Sequence, residues 1–150
     1  MSRNSDISAF QKSVAALPLA TFRPNETVLS AGSKTGRLLI LKEGAVVIVE
    51  DGIEIAKVTE PGAVFGEVSA LLDTPHTADV RALESSQFYV ADANLLQDKA
   101  ALRHVAAILA RRLVDANEAF IELKRYLEVG KPRDVVNKAV EKIQELIGGI

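Results

Sequence analysis

The chain has 150 residues, 48% hydrophobic and 25% charged, with a formal net charge of −2 at neutral pH. That length fits one domain able to bury a core without staples, and the charge supplies no basic face for nucleic acid. There is no cysteine for a disulfide or a thiolate metal site, and no apolar run approaches the roughly 20 residues that span a bilayer. The opening Met-Ser-Arg-Asn-Ser-Asp leads into a polar amphipathic segment rather than an export signal, which predicts a cytoplasmic protein without membrane or nucleic-acid partners.

In chain order, Asp6 can cap a helix with Ile7, Phe10, Val14 and Leu17 along one side, ended by Pro18. Thr21 to Ser30 predicts two short strands around a Pro24-Asn25 turn, and Ala31 to Gly36 a loop without the spacing of a nucleotide P-loop. Arg37–Glu43 and Ala45–Glu50 read as strands broken at Gly44. Asp51-Gly52 then marks a two-residue hairpin into Ile53–Val58. Ser86–Ala91 is the last strand. From about Ala93 the period changes to three and four, with Leu102, Val105, Leu109, Leu113, Ala116, Phe120, Leu123 and Leu127 on a long amphipathic helix. Leu109 to Leu127 keeps a rhythm suited to a two-helix seam, which predicts a homodimer through this helix. Gly130-Lys131-Pro132 stops it, Arg133–Ile147 forms a final short helix, and Gly148-Gly149 frays.

The informative stretch is Pro61 to Ala82. A turn at Pro61-Gly62 and an apolar run to Phe65 lead into Gly66, then Glu67–Leu72, long enough for about one and a half helical turns. After Asp73-Thr74-Pro75 the residues alternate from Thr77 to Ala82 as a strand. A helix start set in β structure offers unpaired backbone N–H groups to an anion. Phe65-Gly66-Glu67, Ala70-Leu71-Leu72 and Thr77-Ala78-Asp79-Val80-Arg81-Ala82 together resemble the phosphate-binding cassette of the cyclic nucleotide-binding domain, the cAMP/cGMP-binding β-roll of regulatory proteins. The resemblance extends over about Asp6–Leu127, with Gly32, Gly44, Gly52 and Gly62 at turns the family also uses. It departs at His76, where the family most often has arginine.

The resemblance implies an α+β fold: an antiparallel β-roll of the double-stranded β-helix or jelly-roll kind, flanked by an N-terminal helix and long C-terminal helices. Residues 1–130 would form the binding domain and 131–150 a short terminal helix. It implies a non-enzymatic sensor of cAMP or cGMP needing no cofactor, with Phe65, Gly66, Glu67, Val68, Ser69, Ala70, His76, Thr77 and Ala78 as ligand-binding residues and a separately encoded protein as a partner. A carboxylate at Glu67 suits a ribose 2′-hydroxyl, and Gly66 lets backbone approach the sugar-phosphate. The N–H groups of Glu67 to Ala70 would face the phosphate, with the Thr77 hydroxyl adding a donor.

His76 cannot supply arginine's bidentate fork, and an ordinary imidazole, with pKa about 6.5, is mostly neutral at pH 7. Either the pocket binds more weakly, with an imidazolium meeting the phosphate, or it has drifted and the domain serves as a dimeric scaffold for a partner. Elsewhere, His104 reads as a surface residue with no metal partners, and Arg81 as a solvated strand arginine. Arg111-Arg112 reads as paired within the helix to Asp115, Glu118 and Glu122, and Ser69 lacks the surroundings of a nucleophile. Asn117 and Glu118 are too weakly placed to count as base-capping sites.

Overall fold

Leu38-Leu39-Ile40-Leu41 is a continuous apolar run, the pattern of a strand covered on both faces. In the computed structural model, which describes residues 3–129 and 133–148, it forms the centre of β3 (Arg37–Glu43) and all four residues are buried. Leu39 and Leu41 join Val46, Val58, Phe65, Val80 and Phe88 in the core of the roll. Leu38 and Ile40 face the other way, into a second cluster with Phe10, Val14, Ala101 and Val105 from two helices. β3 therefore joins the strand layer to the helical layer.

The roll consists of two four-stranded antiparallel sheets. One has the order β1 (Leu19–Phe22), β8 (Ser86–Asp92), β3, β6 (Val64–Phe65), and the other β2 (Thr27–Leu29), β7 (Asp79–Ala82), β4 (Val46–Glu50), β5 (Ile53–Val58). This is the fold the sequence predicts. The β4–β5 hairpin turns at Asp51 and Gly52, with φ of 51° and 76° as a type I′ turn requires. β6 pairs with β3 through Leu39–Phe65 and Ile40–Val64, and α2 (Glu67–Leu72) leaves its end.

Three expectations shift. The first helix, α1, spans Arg3–Val14, so Asp6 lies inside it and is not its cap. The C-terminal helical region begins with a 3₁₀ turn, Ala93–Gln97, before α3 (Lys99–Glu128). The break arises because Asp98 caps α3: its carboxylate accepts from the Ala101 N–H at 3.0 Å and from the Ser13 hydroxyl at 3.0 Å. Those bonds, Ala101's first, hold the Asp98 carboxyl below its ordinary pKa. His104 is the third, since it is half-buried rather than on the surface. Its ring stacks on Phe10 with centroids 3.6 Å apart, and Nε2–H donates to the Gly62 carbonyl at 2.9 Å. The reason is that α1 and the turn before β6 both pack where position 104 points.

α4 (Arg133–Gly148) packs against α3 and β5. The helix stop at Gly130-Lys131-Pro132 and the boundary between 130 and 131 lie outside the described residues. On α3, Ala101, Val105 and Ala119 are buried, while Leu113, Phe120 and Leu127 are each more than 60% exposed. No described helix is long and apolar enough to cross a membrane.

Candidate functional site

The end of β6 must turn sharply to start α2, and Gly66 makes that turn. Its φ is +88°, and a Cβ there would sit 2.3 Å from the Arg37 carbonyl oxygen, so only glycine fits beside β3. The turn delivers Glu67 as the first residue of α2, where the carboxylate is buried at 5% exposure. A buried carboxylate needs a partner, and Arg112 of α3 supplies one: Nη1–H donates to Oε1 at 2.7 Å. The expectation that Arg112 pairs within its own helix is thus corrected. It lies on the inward stripe of α3, after Ala101, Val105 and Ile108, and that stripe reaches the start of α2.

Around this pair is a cavity of about 120 Å³. Phe65, Gly66, Glu67, Val68, Ser69, His76, Thr77 and Ala78 line it, together with Leu29, Ile48, Val64, Val80 and Arg112. Eight of the nine residues expected from the sequence are therefore assembled in one place. Ala70 is the exception. It packs toward the helical cluster, and its N–H donates to the Gly66 carbonyl at 3.0 Å as an ordinary helical bond, so that amide is unavailable to an anion. The N–H groups of Glu67 to Ser69 precede the first such bond. The Ser69 hydroxyl, buried, donates to the Thr74 carbonyl and fastens the end of α2.

His76 is also buried and lines the cavity, and it is held from the loop before β3. Nε2 lies 2.9 Å from the Thr35 hydroxyl, and the His76 backbone accepts from the Gly32 N–H and donates to the Ser33 carbonyl, each at 2.8 Å. Lys34 adds an ion pair to Asp73 at 2.6 Å, which holds the Asp73 carboxyl below its ordinary pKa through a hydrogen bond first and charge second. The loop before β3 and the loop after α2 are thereby laced together. Arg81 keeps a partly exposed side chain, as expected, with Glu54 3.9 Å from Nη2; its Nε alone is buried without a hydrogen-bond partner.

The sequence did not point to Leu29, Ile48, Val64, Val80 or Arg112. The first four look like any core residues. Arg112 had one legible sign, a lone cation on an otherwise apolar helical stripe. Among the described residues no cluster of three His, Cys, Asp or Glu could hold a metal.

A family model described as the cyclic nucleotide-binding domain matches residues 19–101. Glutaminase 2 of Bradyrhizobium diazoefficiens is 36% identical over 125 residues, 75% of this chain and 20% of that protein. The chain thus spans about a fifth of that relative's length. Among solved structures, the catabolite activator protein of Thermus thermophilus superposes with a TM-score of 0.61 at 17% identity, covering 93% of this chain and 81% of that one. PKAR CBD2 bound to Sp-2Cl-cAMPS superposes with a TM-score of 0.59 at 22% identity, covering 83% and 80%. At these identities the two structures speak for the fold.

Proposed function

The chain belongs to the cyclic nucleotide-binding domain family, and from that membership we propose that it is a non-enzymatic sensor domain whose ligand is cAMP or cGMP. The observation that carries the reading is Glu67: a buried carboxylate on the wall of a cavity, placed by a glycine that no other residue can replace. A ribose 2′-hydroxyl donating to that carboxylate forms a charge-assisted bond. The amides of Glu67 to Ser69 and the Thr77 hydroxyl supply donors for the cyclic phosphate, while Leu29, Ile48 and Val80 offer an apolar wall to the remainder. That PKAR CBD2 takes a cAMP-type ligand on the same fold supports the assignment. The ligand-free scaffold reading rested on His76 alone, and the lining keeps a cation in Arg112.

The cavity, about 120 Å³, is below the roughly 300 Å³ at which ligand pockets usually begin. We infer that α3, which puts Arg112 into the lining, shifts when a nucleotide enters, and binding energy that differs between its positions becomes the signal. The exposed Leu113, Phe120 and Leu127 stripe gives α3 a face for a second copy of the chain, so α3 is both the moving part and the dimer seam. Residues 1–130 act as the binding unit, with α4 (Arg133–Gly148) appended to it, in a cytoplasmic protein.

Thermal denaturation with and without ligand tests this. Ligand that binds only the folded chain raises Tm, by an amount that grows with ligand concentration above Kd. Millimolar cAMP or cGMP should raise it, and no shift with either removes the sensor function.

A further inference from the structure

A cyclic phosphate carries one negative charge, and taking it out of water requires a cation or a dense set of donors. Among the described residues that line the cavity, Arg112 is the only lysine or arginine. Its Nη1 is engaged by Glu67 at 2.7 Å, while its Nε is buried and has no hydrogen-bond partner. Buried donors without acceptors are few in native proteins and call for an explanation. His76 lines the same cavity, but its Nε2 is engaged by the Thr35 hydroxyl at 2.9 Å, which leaves only Nδ1 to offer a phosphate.

Building on the cyclic nucleotide assignment, we propose that Arg112 is the phosphate's cation, replacing from α3 the arginine that the cassette lacks at position 76. A guanidinium has five donors in a rigid fork, enough to keep Glu67 on one side and meet a phosphate oxygen on another. Glu67 offers acceptor oxygens beside the free N–H donors of Arg112, an arrangement that suits an occupant donating to the carboxylate and accepting from the guanidinium. Because the cation belongs to α3, the ligand binds the cassette and α3 at once. Filling the site and fixing α3 are then a single equilibrium rather than two steps.

The test compares a nucleotide with its own phosphate-free nucleoside. Calorimetry on the full chain measures whichever of cAMP and cGMP binds, alongside adenosine or guanosine, for the native protein and for Arg112→Gln. The expected result is a loss on the order of a hundredfold for the nucleotide and a much smaller loss for the nucleoside, which feels only the change at Glu67. Equal losses for both would mean that Arg112 only positions Glu67, and no loss would mean that it meets nothing; either overturns the proposal. Adding His76→Arg to Arg112→Gln should restore nucleotide binding, and failure to restore it also counts against the proposal. That second comparison decides the matter if the nucleoside binds too weakly to measure. Should Arg112→Gln not fold, Arg112→Lys keeps the charge without the fork and should lose more nucleotide affinity than nucleoside affinity; a parallel loss of both refutes the assignment. A native chain that binds no nucleotide refutes the sensor assignment itself, which separates that failure from an error about Arg112.

Discussion

The β-roll and helix α3 are built on different kinds of information. In the roll, each strand's burial follows from its own alternation or apolar run, and each tight turn from a residue in place: Gly66 at φ +88°, Asp51 and Gly52 in the hairpin. α3 is a regular helix throughout, and what each of its faces does depends on residues far away in sequence. Arg112 meets Glu67, 45 positions earlier, and His104 meets Gly62, 42 positions earlier. The lesson is that local pattern locates the pocket and long-range pairing equips it.

The strongest way to break the roll's side of that contrast is Gly66→Ala. The added Cβ meets the backbone at the Arg37 carbonyl, which cannot swing aside, and φ +88° is strained for alanine. A loss of about 3 kcal/mol in chemical denaturation is expected, together with loss of binding. An unchanged midpoint would show that the cassette turn is not what fixes Glu67.

Next in size is Glu67→Gln, which acts on both regions together. Removing one partner of a fully buried ion pair costs about 3–5 kcal/mol; Arg112 keeps 27% exposure, so water compensates it in part and about 2 kcal/mol is expected. The double variant Glu67→Gln, Arg112→Gln should lose less than the sum of the singles, because the orphaned charge disappears. Additive losses would deny that the two side chains are coupled.

On α3 alone the expected stability effect is small. Phe120→Ser removes a side chain that is 64% exposed and should change unfolding free energy by less than about 0.5 kcal/mol. It should nonetheless shift sedimentation from dimer to monomer. If the native chain sediments as a monomer, the stripe serves something other than self-association.

The smallest effect concerns how α3 starts. Asp98 has a pKa below its unfolded value, so the capping bonds to Ala101 and Ser13 stabilise the fold above the ordinary carboxylate range. That stability fades as pH falls from about 4 through the lowered native value. Asp98→Asn should flatten this part of the acid unfolding curve, and an unaltered curve would place the acid-sensitive groups elsewhere.

Much of this was legible in the residues. The eight strands, the hairpin turn and eight of the thirteen residues that line the cavity followed from turn chemistry, strand alternation and one family-like run of residues. Ala70 failed because helix geometry ties its amide to Gly66, a consequence of where α2 begins. Arg112 failed for a different reason. Pairs at i, i+4 on a helix surface are worth only about 0.2–0.5 kcal/mol, so a buried carboxylate within reach outweighs them, and nothing near position 112 announces Glu67. The same holds for His76, whose partner Thr35 comes from a loop with no visible link to the cassette.

The most direct test of the account is a calorimetric titration of the full chain with cAMP and cGMP, repeated on Glu67→Gln. A saturable heat with one nucleotide bound per chain, lost in the variant, is the predicted result. No heat at millimolar ligand, or the same affinity in both proteins, would contradict the claim that this cavity is a nucleotide site organised by Glu67.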